Sequence, residues 1–172
     1  MIRKQLILLA GAAPAFLAVI LVWRYAPVLF AGARLPSDDA AARLAFATHW
    51  LIAPGLTLLV GVVGTGRRGF IDGAIEGTRT PAHHGLEINL RYNQNTLEQT
   101  VLAAIAWLGL ALALPDQRLA LIPAMASLFV LGRLTFWIGY RINPLGRAFG
   151  MVLTILPTLI AYAWLIGCLL AA

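Results

Sequence analysis

Residues 148–172 read AFGMVLTILPTLIAYAWLIGCLLAA and contain no Asp, Glu, Lys or Arg. A helix of about 20 apolar residues crosses the hydrocarbon core of a bilayer, and this run is longer than that. The run also lacks the strict alternation of polar and apolar side chains that is typical of a membrane β-barrel strand. It therefore predicts a transmembrane α-helix.

Similar runs recur toward the N-terminus. Uncharged stretches lie at 5–23, 44–66, 99–115 and 119–140, the last interrupted only by Arg133. Within lipid, only helices and closed barrels satisfy every backbone hydrogen bond. The sequence thus predicts five membrane-spanning helices.

The composition of the whole chain agrees with this interpretation. Hydrophobic residues make up 60% of the chain and charged residues 12%, whereas about a quarter of the residues in a soluble domain are charged. So little polar surface cannot cover a folded core in water. We therefore predict an all-α integral membrane helical bundle and exclude a soluble globular domain.

The first run has a second interpretation. The basic residues Arg3 and Lys4 precede it and the small residues 31–33 follow it, as in a signal peptide with its cleavage site. The run 6–23 is longer than the usual signal core and Arg24 follows it, which favours a retained helix. Cleavage would leave four spans with the same orientation.

The basic residues indicate topology. The net charge is +6, but the 13 Lys and Arg residues lie at the ends of the spans and form no basic stripe, so no nucleic-acid partner is predicted. Under the positive-inside rule the N-terminus is cytoplasmic and the C-terminus external, with a bacterial inner membrane as the expected location. The residues expected on the cytoplasmic side are Arg3, Lys4, Arg67, Arg68, Arg79, Arg91, Arg141 and Arg147.

The connections carry local signals as well. Ser37 or Asp38 is predicted to cap the helix that begins near Ala40. The Gly-rich, polar segment 64–81 is the one sizeable cytoplasmic loop. The pair Asn143-Pro144 is predicted to break the fourth helix.

The third helix begins with an unusual density of polar side chains. Arg91, Asn95 and Glu98 are spaced at i, i+4 and i+7, which places them on one helical face. An ionisable side chain at this depth needs a partner or a watery cavity. Two interpretations stay open: a ligand site, or a structural ion-pair network between helices that includes Arg91 and Glu98, with Asn95 forming an interhelical hydrogen bond.

A second set of polar residues favours the ligand site. Arg133, Tyr140 and Arg147 recur every seven residues, from the fourth helix into the start of the fifth. Arg133 lies too deep in its span to be an ordinary flanking residue. Together with the stripe on the third helix, these residues bring a carboxylate, an amide, a phenol and several guanidinium groups to one end of the membrane.

The two motifs occur in a familiar order. R-x-x-x-N-x-x-E at 91–98, followed by R-x6-Y-x6-R at 133–147, resembles the membrane-associated proteins in eicosanoid and glutathione metabolism, the MAPEG family. In motif spacing it is most similar to leukotriene-C synthase and the microsomal glutathione transferases. The resemblance covers roughly residues 45–165. It implies an extra N-terminal transmembrane helix at 1–33 and the family's four-helix membrane domain at 34–172.

The resemblance also implies a function. The protein would be a homotrimer in the bilayer that binds glutathione as a co-substrate between subunits, and would activate the glutathione thiolate for transfer to a lipophilic small-molecule electrophile or for peroxide reduction. Arg147 matches the family's catalytic arginine. No metal site is predicted. The expected glutathione-binding residues are Arg91, Asn95, Glu98, Tyr140, Arg133, Arg67 and Arg68.

The sequence departs from the family pattern at two positions. Gln99 and Phe136 stand where the leukotriene-C synthases have tyrosines, which puts leukotriene chemistry in doubt. An alternative function is a non-catalytic membrane scaffold or ligand-sensing protein of the same fold. A small transporter is a third possibility, suggested only by the charges within the membrane.

Overall fold

Five long α-helices make up the fold. The computed structural model describes residues 2–36, 38–77 and 83–171. All five helices in these ranges are long and apolar enough to cross a membrane, which confirms the predicted all-α membrane bundle. The helices are α1 (Ile2–Leu29), α2 (Ala40–Thr65), α3 (His84–Ala113), α4 (Leu121–Ile142) and α5 (Ala148–Ala171).

Helix α4 is the centre of the bundle. It packs against each of the other four helices, and 72% of its apolar span is buried, compared with 11% for α1 and α2. A helix that is apolar all round is stable only when it is surrounded. The core includes an edge-to-face contact between Trp107 of α3 and Phe129 of α4, whose ring centroids lie 6.3 Å apart. The outer helices keep many large apolar side chains exposed, which is the surface that lipid covers.

Helices α4 and α5 approach each other through two glycines. A Cβ atom on Gly132 would lie 2.7 Å from Cγ2 of Thr154, and one on Gly150 would overlap backbone atoms of Gly132 and Phe136. The two backbones are therefore too close for any larger residue at either position. The helix break predicted at Asn143-Pro144 is confirmed, because α4 ends at Ile142 and the backbone of Asn143 is extended.

The start of α2 differs from the prediction in one respect. Asp39 is the N-cap, and its carboxylate accepts a hydrogen bond of 2.8 Å from the Ala42 amide. The prediction of Asp38 as the cap was wrong, because Asp38 instead accepts a hydrogen bond from the guanidinium of Arg43. Ser37, the other predicted cap, and Arg79, predicted as cytoplasmic, lie outside the described residues.

Arg43 caps the C-terminal end of α3. Its side chain is buried, and Nη1 donates to the carbonyl oxygens of Leu114 at 2.8 Å and Ala111 at 3.3 Å. The last carbonyls of a helix have no partner within the helix, so a buried donor stabilises them. Nη2 of Arg43 also forms ion pairs with Asp38 and Asp116. One side chain thus ties α2 to the α3–α4 connection.

Replacing Arg43 with Met is expected to lower the free energy of unfolding by about 2 kcal/mol, because the α3 carbonyls and Asp116 lose a charged donor. The measurement is equilibrium unfolding in mixed micelles, followed by circular dichroism. Asp38→Asn is the control, because the side chain of Asp38 is 89% exposed and exposed ion pairs contribute at most about 1 kcal/mol. Equal losses in the two variants would contradict this account of Arg43.

Gly150→Ala and Gly167→Ala form a matched pair within α5. The first is expected to cost on the order of 1 to 3 kcal/mol, because the methyl group overlaps the α4 backbone. The second adds a methyl group in open space and is expected to be neutral or to stabilise the helix by up to about 1 kcal/mol. The same unfolding measurement applies. A stable Gly150→Ala variant would show that the α4–α5 contact is looser than described.

Candidate functional site

A polar pocket of about 400 Å³ opens at the end of the bundle where α3 begins, α4 ends and α5 begins. The predicted stripe on α3 lines one side of it, and the ends of α4 and α5 line the other. Its lining residues are Arg91, Gln94, Asn95, Glu98, Phe136, Tyr140, Arg147 and Met151. The structure therefore brings five of the eight predicted site residues together within one chain.

Arg133 is fully buried behind this pocket. Its Nη1 donates to Oδ1 of Asn95 at 2.7 Å, and its Nη2 donates to Oγ1 of Thr154 at 2.5 Å. These bonds join α3, α4 and α5 at one point. Asn95 therefore forms the interhelical hydrogen bond that the structural interpretation predicted. Arg133 itself reaches the pocket through Asn95.

A column of stacked side chains leads from Arg133 to the pocket. The Arg133 guanidinium lies 4.7 Å from the ring centroid of Phe136, and this ring stacks on Tyr140 with centroids 5.8 Å apart and planes 2° apart. The guanidinium of Arg147 lies 5.1 Å from the Tyr140 ring. Cation–π contacts of this kind favour one orientation of each group. The column thus holds Arg147 and Tyr140 against the pocket.

Sequence reasoning missed the role of Phe136. It treated this position only as a lost hydroxyl group, whereas the ring is the middle of the column. The signal was available in the spacing, because Arg133, Phe136 and Tyr140 stand at i, i+3 and i+7, which places them on one face of α4. Gln99, the other departure from the family pattern, is buried.

The charged groups of α3 have partners on their own helix. Arg91 donates through Nε to Oε1 of Glu87 at 3.2 Å, and both side chains are more than half exposed. Glu98 accepts a hydrogen bond of 2.8 Å from Nε2 of Gln94. Among the described residues, neither Arg91 nor Glu98 takes part in an ion pair between helices, so the predicted ion-pair network was wrong. Because these partners are exposed and weakly held, both charges can be redirected to a ligand.

The electrostatics of the pocket favour a particular kind of ligand. Arg91 and Arg147 supply two guanidinium groups and Glu98 supplies one carboxylate. Guanidinium groups bind carboxylates through two parallel hydrogen bonds. The pocket is thus suited to a small molecule that carries anionic groups and one cationic group.

Arg67 and Arg68 lie elsewhere. Arg67 donates to the carbonyl of Gly85 at 2.8 Å, and Arg68 donates to that of Ala74 at 3.0 Å. Arg67 lines a second, mostly apolar cavity of about 410 Å³ between α2, α3 and α4. The structure of the chain does not bring either arginine to the polar pocket.

These features define a multi-pass integral membrane protein with a polar pocket at one end of its helical bundle. The sequence profile of the MAPEG family matches residues 6–167, nearly the whole chain, and the chain belongs to this family. The resemblance predicted from the two motifs is confirmed. The matched range begins within α1, and the division of the chain into 1–33 and 34–172 stays a prediction.

The chain is also similar to two individual proteins. The chain is 26% identical over 153 residues to Transmembrane protein 79 of Mus musculus and 26% identical over 154 residues to that of Bos taurus. The alignments cover 89% and 90% of this chain but only 38% of each relative, so the chain spans less than two fifths of their length. No solved structure gave a significant match.

Asn95→Ala is expected to lower the free energy of unfolding by about 2 to 3 kcal/mol, because it leaves a buried guanidinium without its amide acceptor. Gln94→Ala on the neighbouring position is the control. Gln94 bonds only the exposed Glu98, so its loss is expected to change stability by less than about 1 kcal/mol. Equal losses of unfolding free energy in the two variants would show that the hydrogen bond between Arg133 and Asn95 stabilises the fold no more than the exposed bond between Gln94 and Glu98 does.

Proposed function

We propose that this protein is a membrane-bound glutathione-dependent transferase or peroxidase, which activates the glutathione thiolate for attack on a lipophilic electrophile. One observation carries the proposal: Arg91, Asn95, Glu98, Tyr140 and Arg147 line a single pocket. Membership of the MAPEG family supports it.

The charges of glutathione match those of the pocket. Glutathione carries two carboxylates, one ammonium group, two peptide groups and one thiol. In this proposal Arg91 binds a carboxylate through two hydrogen bonds and Glu98 binds the ammonium group. Oδ1 of Asn95 already accepts from Arg133, which leaves the amide nitrogen to donate to a peptide carbonyl. The buried contact thus determines which end of the Asn95 amide meets the ligand.

Arg147 is the proposed catalytic residue. A free cysteine thiol has a pKa of about 8.5, and a neighbouring guanidinium lowers this pKa by stabilising the thiolate. The thiolate then attacks the electrophile, a carbon–sulfur bond forms, and the leaving group departs with its electron pair. The thiol proton passes to solvent. The phenol of Tyr140, stacked beneath Arg147, supplies a further hydrogen bond to the bound tripeptide.

The apolar part of the pocket supports a lipophilic second substrate. Phe136 and Met151 line it beside the charged groups. Their helices present exposed apolar side chains to the surroundings, including Leu134 of α4 at 53%. An electrophile dissolved in the bilayer would reach the thiolate between the helices without crossing water.

The proposal includes the assembly and the orientation of the chain. Arg67 and Arg68 lie away from the pocket of their own subunit, so they would reach glutathione only from a neighbouring copy, in a homotrimer. The end that carries the pocket would be cytoplasmic, which places the N-terminus inside and the C-terminus outside a bacterial inner membrane.

A non-catalytic scaffold or ligand sensor of the same fold is the second candidate. The apolar ring of Phe136 lines the pocket where the leukotriene-C synthases have a hydroxyl group. One hydrogen bond near the reacting atoms would then be lacking, which favours binding over turnover.

Arg147→Ala distinguishes the two candidates. The wild type is expected to bind glutathione by calorimetry and to conjugate it to an aryl halide such as 1-chloro-2,4-dinitrobenzene. The variant is expected to lose at least about 100-fold in kcat/KM, as on removal of a group that stabilises developing charge, while glutathione affinity changes only a few-fold. Arg141→Ala is the control, because Arg141 is exposed and lies over Trp137, outside the pocket.

Three outcomes separate the possibilities. Binding and turnover that both respond as described support the transferase. Binding without turnover in the folded wild type supports the scaffold or sensor. The absence of binding heat at millimolar glutathione, with a folded protein, contradicts the glutathione-dependent transferase or peroxidase.

A further inference from the structure

A separate cavity of about 350 Å³ lies at the opposite end of the bundle, where α1 ends and α4 begins. Its lining residues are Trp23, Arg24, Pro27, Arg118 and Leu121. We propose that this cavity binds the phosphodiester headgroup of an anionic phospholipid. The proposal is independent of glutathione chemistry.

Charge is the first argument. Arg24 belongs to α1, whereas Arg118 belongs to the 3₁₀ turn Asp116–Arg118 that precedes α4, so two separate elements bring guanidinium groups to one cavity. No acidic side chain lines it. The ion pairs found among the described residues belong to Arg43 and Arg91, and Asp116 is engaged by Arg43. The two arginines therefore carry uncompensated positive charge.

The neighbouring aromatic rings orient these charges. The guanidinium carbon of Arg118 lies 5.1 Å from the ring centroid of Trp164, and that of Arg24 lies 5.8 Å from the ring of Tyr25. Trp and Tyr concentrate where the hydrocarbon core meets the headgroups. Guanidinium groups held in this way are prepared for bidentate binding of a phosphate.

The apolar lining identifies a lipid as the source of the phosphate. Trp23, Pro27 and Leu121 form the rest of the cavity. A free anion gains nothing from them, whereas the glycerol group and the first methylene groups of a phospholipid do. Val28 and Leu29, at the end of α1, are 73% and 61% exposed and continue the apolar surface along which an acyl chain can lie.

The position of the two arginines along their helices also supports a lipid headgroup as the ligand. Both arginines stand near the ends of apolar spans, so their guanidinium groups lie at the level of the lipid headgroups. A phosphodiester bound by both arginines would bridge α1 and the turn before α4. The lipid would thus strengthen the attachment of α1 to the bundle.

The test is the thermal unfolding of the full chain in a non-ionic detergent, with added phosphatidylglycerol, phosphatidylcholine of the same acyl chains, or inorganic phosphate. Phosphatidylglycerol is expected to raise the Tm by about 5 °C, the size expected for a ligand well above its Kd. Phosphatidylcholine has the same phosphodiester, but its own ammonium group offsets the negative charge, and inorganic phosphate has no glycerol group or acyl chain. Each is therefore expected to raise the Tm by less than about 1 °C.

Arg24→Gln and Arg118→Gln are each expected to reduce the phosphatidylglycerol shift to less than half. Arg34→Gln is the matched control, because it removes the same charge from an exposed position at the same end, outside the cavity. Counting bound lipids by native mass spectrometry provides a second measurement if a variant unfolds too easily. An undiminished shift or lipid count in both cavity variants would overturn the proposal, as would equal stabilisation by inorganic phosphate, which would indicate a site for free anions.

Discussion

A single buried guanidinium joins the three helices that build the polar pocket. Arg133 is completely enclosed, and its hydrogen bonds to Asn95 and Thr154 fix α3 and α5 against α4. A buried charge without partners is costly, so this arrangement allows little freedom in the relative positions of the three helices. The close approach of Gly132 and Gly150 brings the α4 and α5 backbones together next to this contact.

The site is a direct continuation of this contact. The rings of Phe136 and Tyr140 form a continuous series of contacts from Arg133 to Arg147. Arg147 would face the reacting thiol. A second buried arginine stabilises the opposite end of the bundle, because Arg43 donates a hydrogen bond to the carbonyl of Leu114 at the end of α3. Two buried arginines thus contact α3 at different points along its length, Arg133 at Asn95 and Arg43 at its C-terminal end. Stability and the proposed ligand binding therefore depend on overlapping sets of residues.

Sequence reasoning predicted the parts of this structure that depend on local patterns. The uncharged runs predicted the five helices, and the spacing of Arg91, Asn95 and Glu98 predicted a shared face. It could not predict the contacts that depend on which helices meet. The burial of Arg133 and its bond to Asn95 link residues 38 positions apart, and Arg43 reaches carbonyls 68 and 71 positions away. The ion pair between Arg91 and Glu87 is local, at i and i+4 on one helix, but an exposed pair of this kind is too weak for the spacing alone to predict it.

A double-mutant cycle between Arg133 and Asn95 tests this central contact most directly. The free energy of unfolding would be measured in mixed micelles for the wild type, Arg133→Met, Asn95→Ala and the double variant. If the two side chains hold the three helices together as described, the coupling energy will be about 1 to 3 kcal/mol, the range for residues in one hydrogen-bond network. A coupling energy of zero, with purely additive losses, would contradict the account.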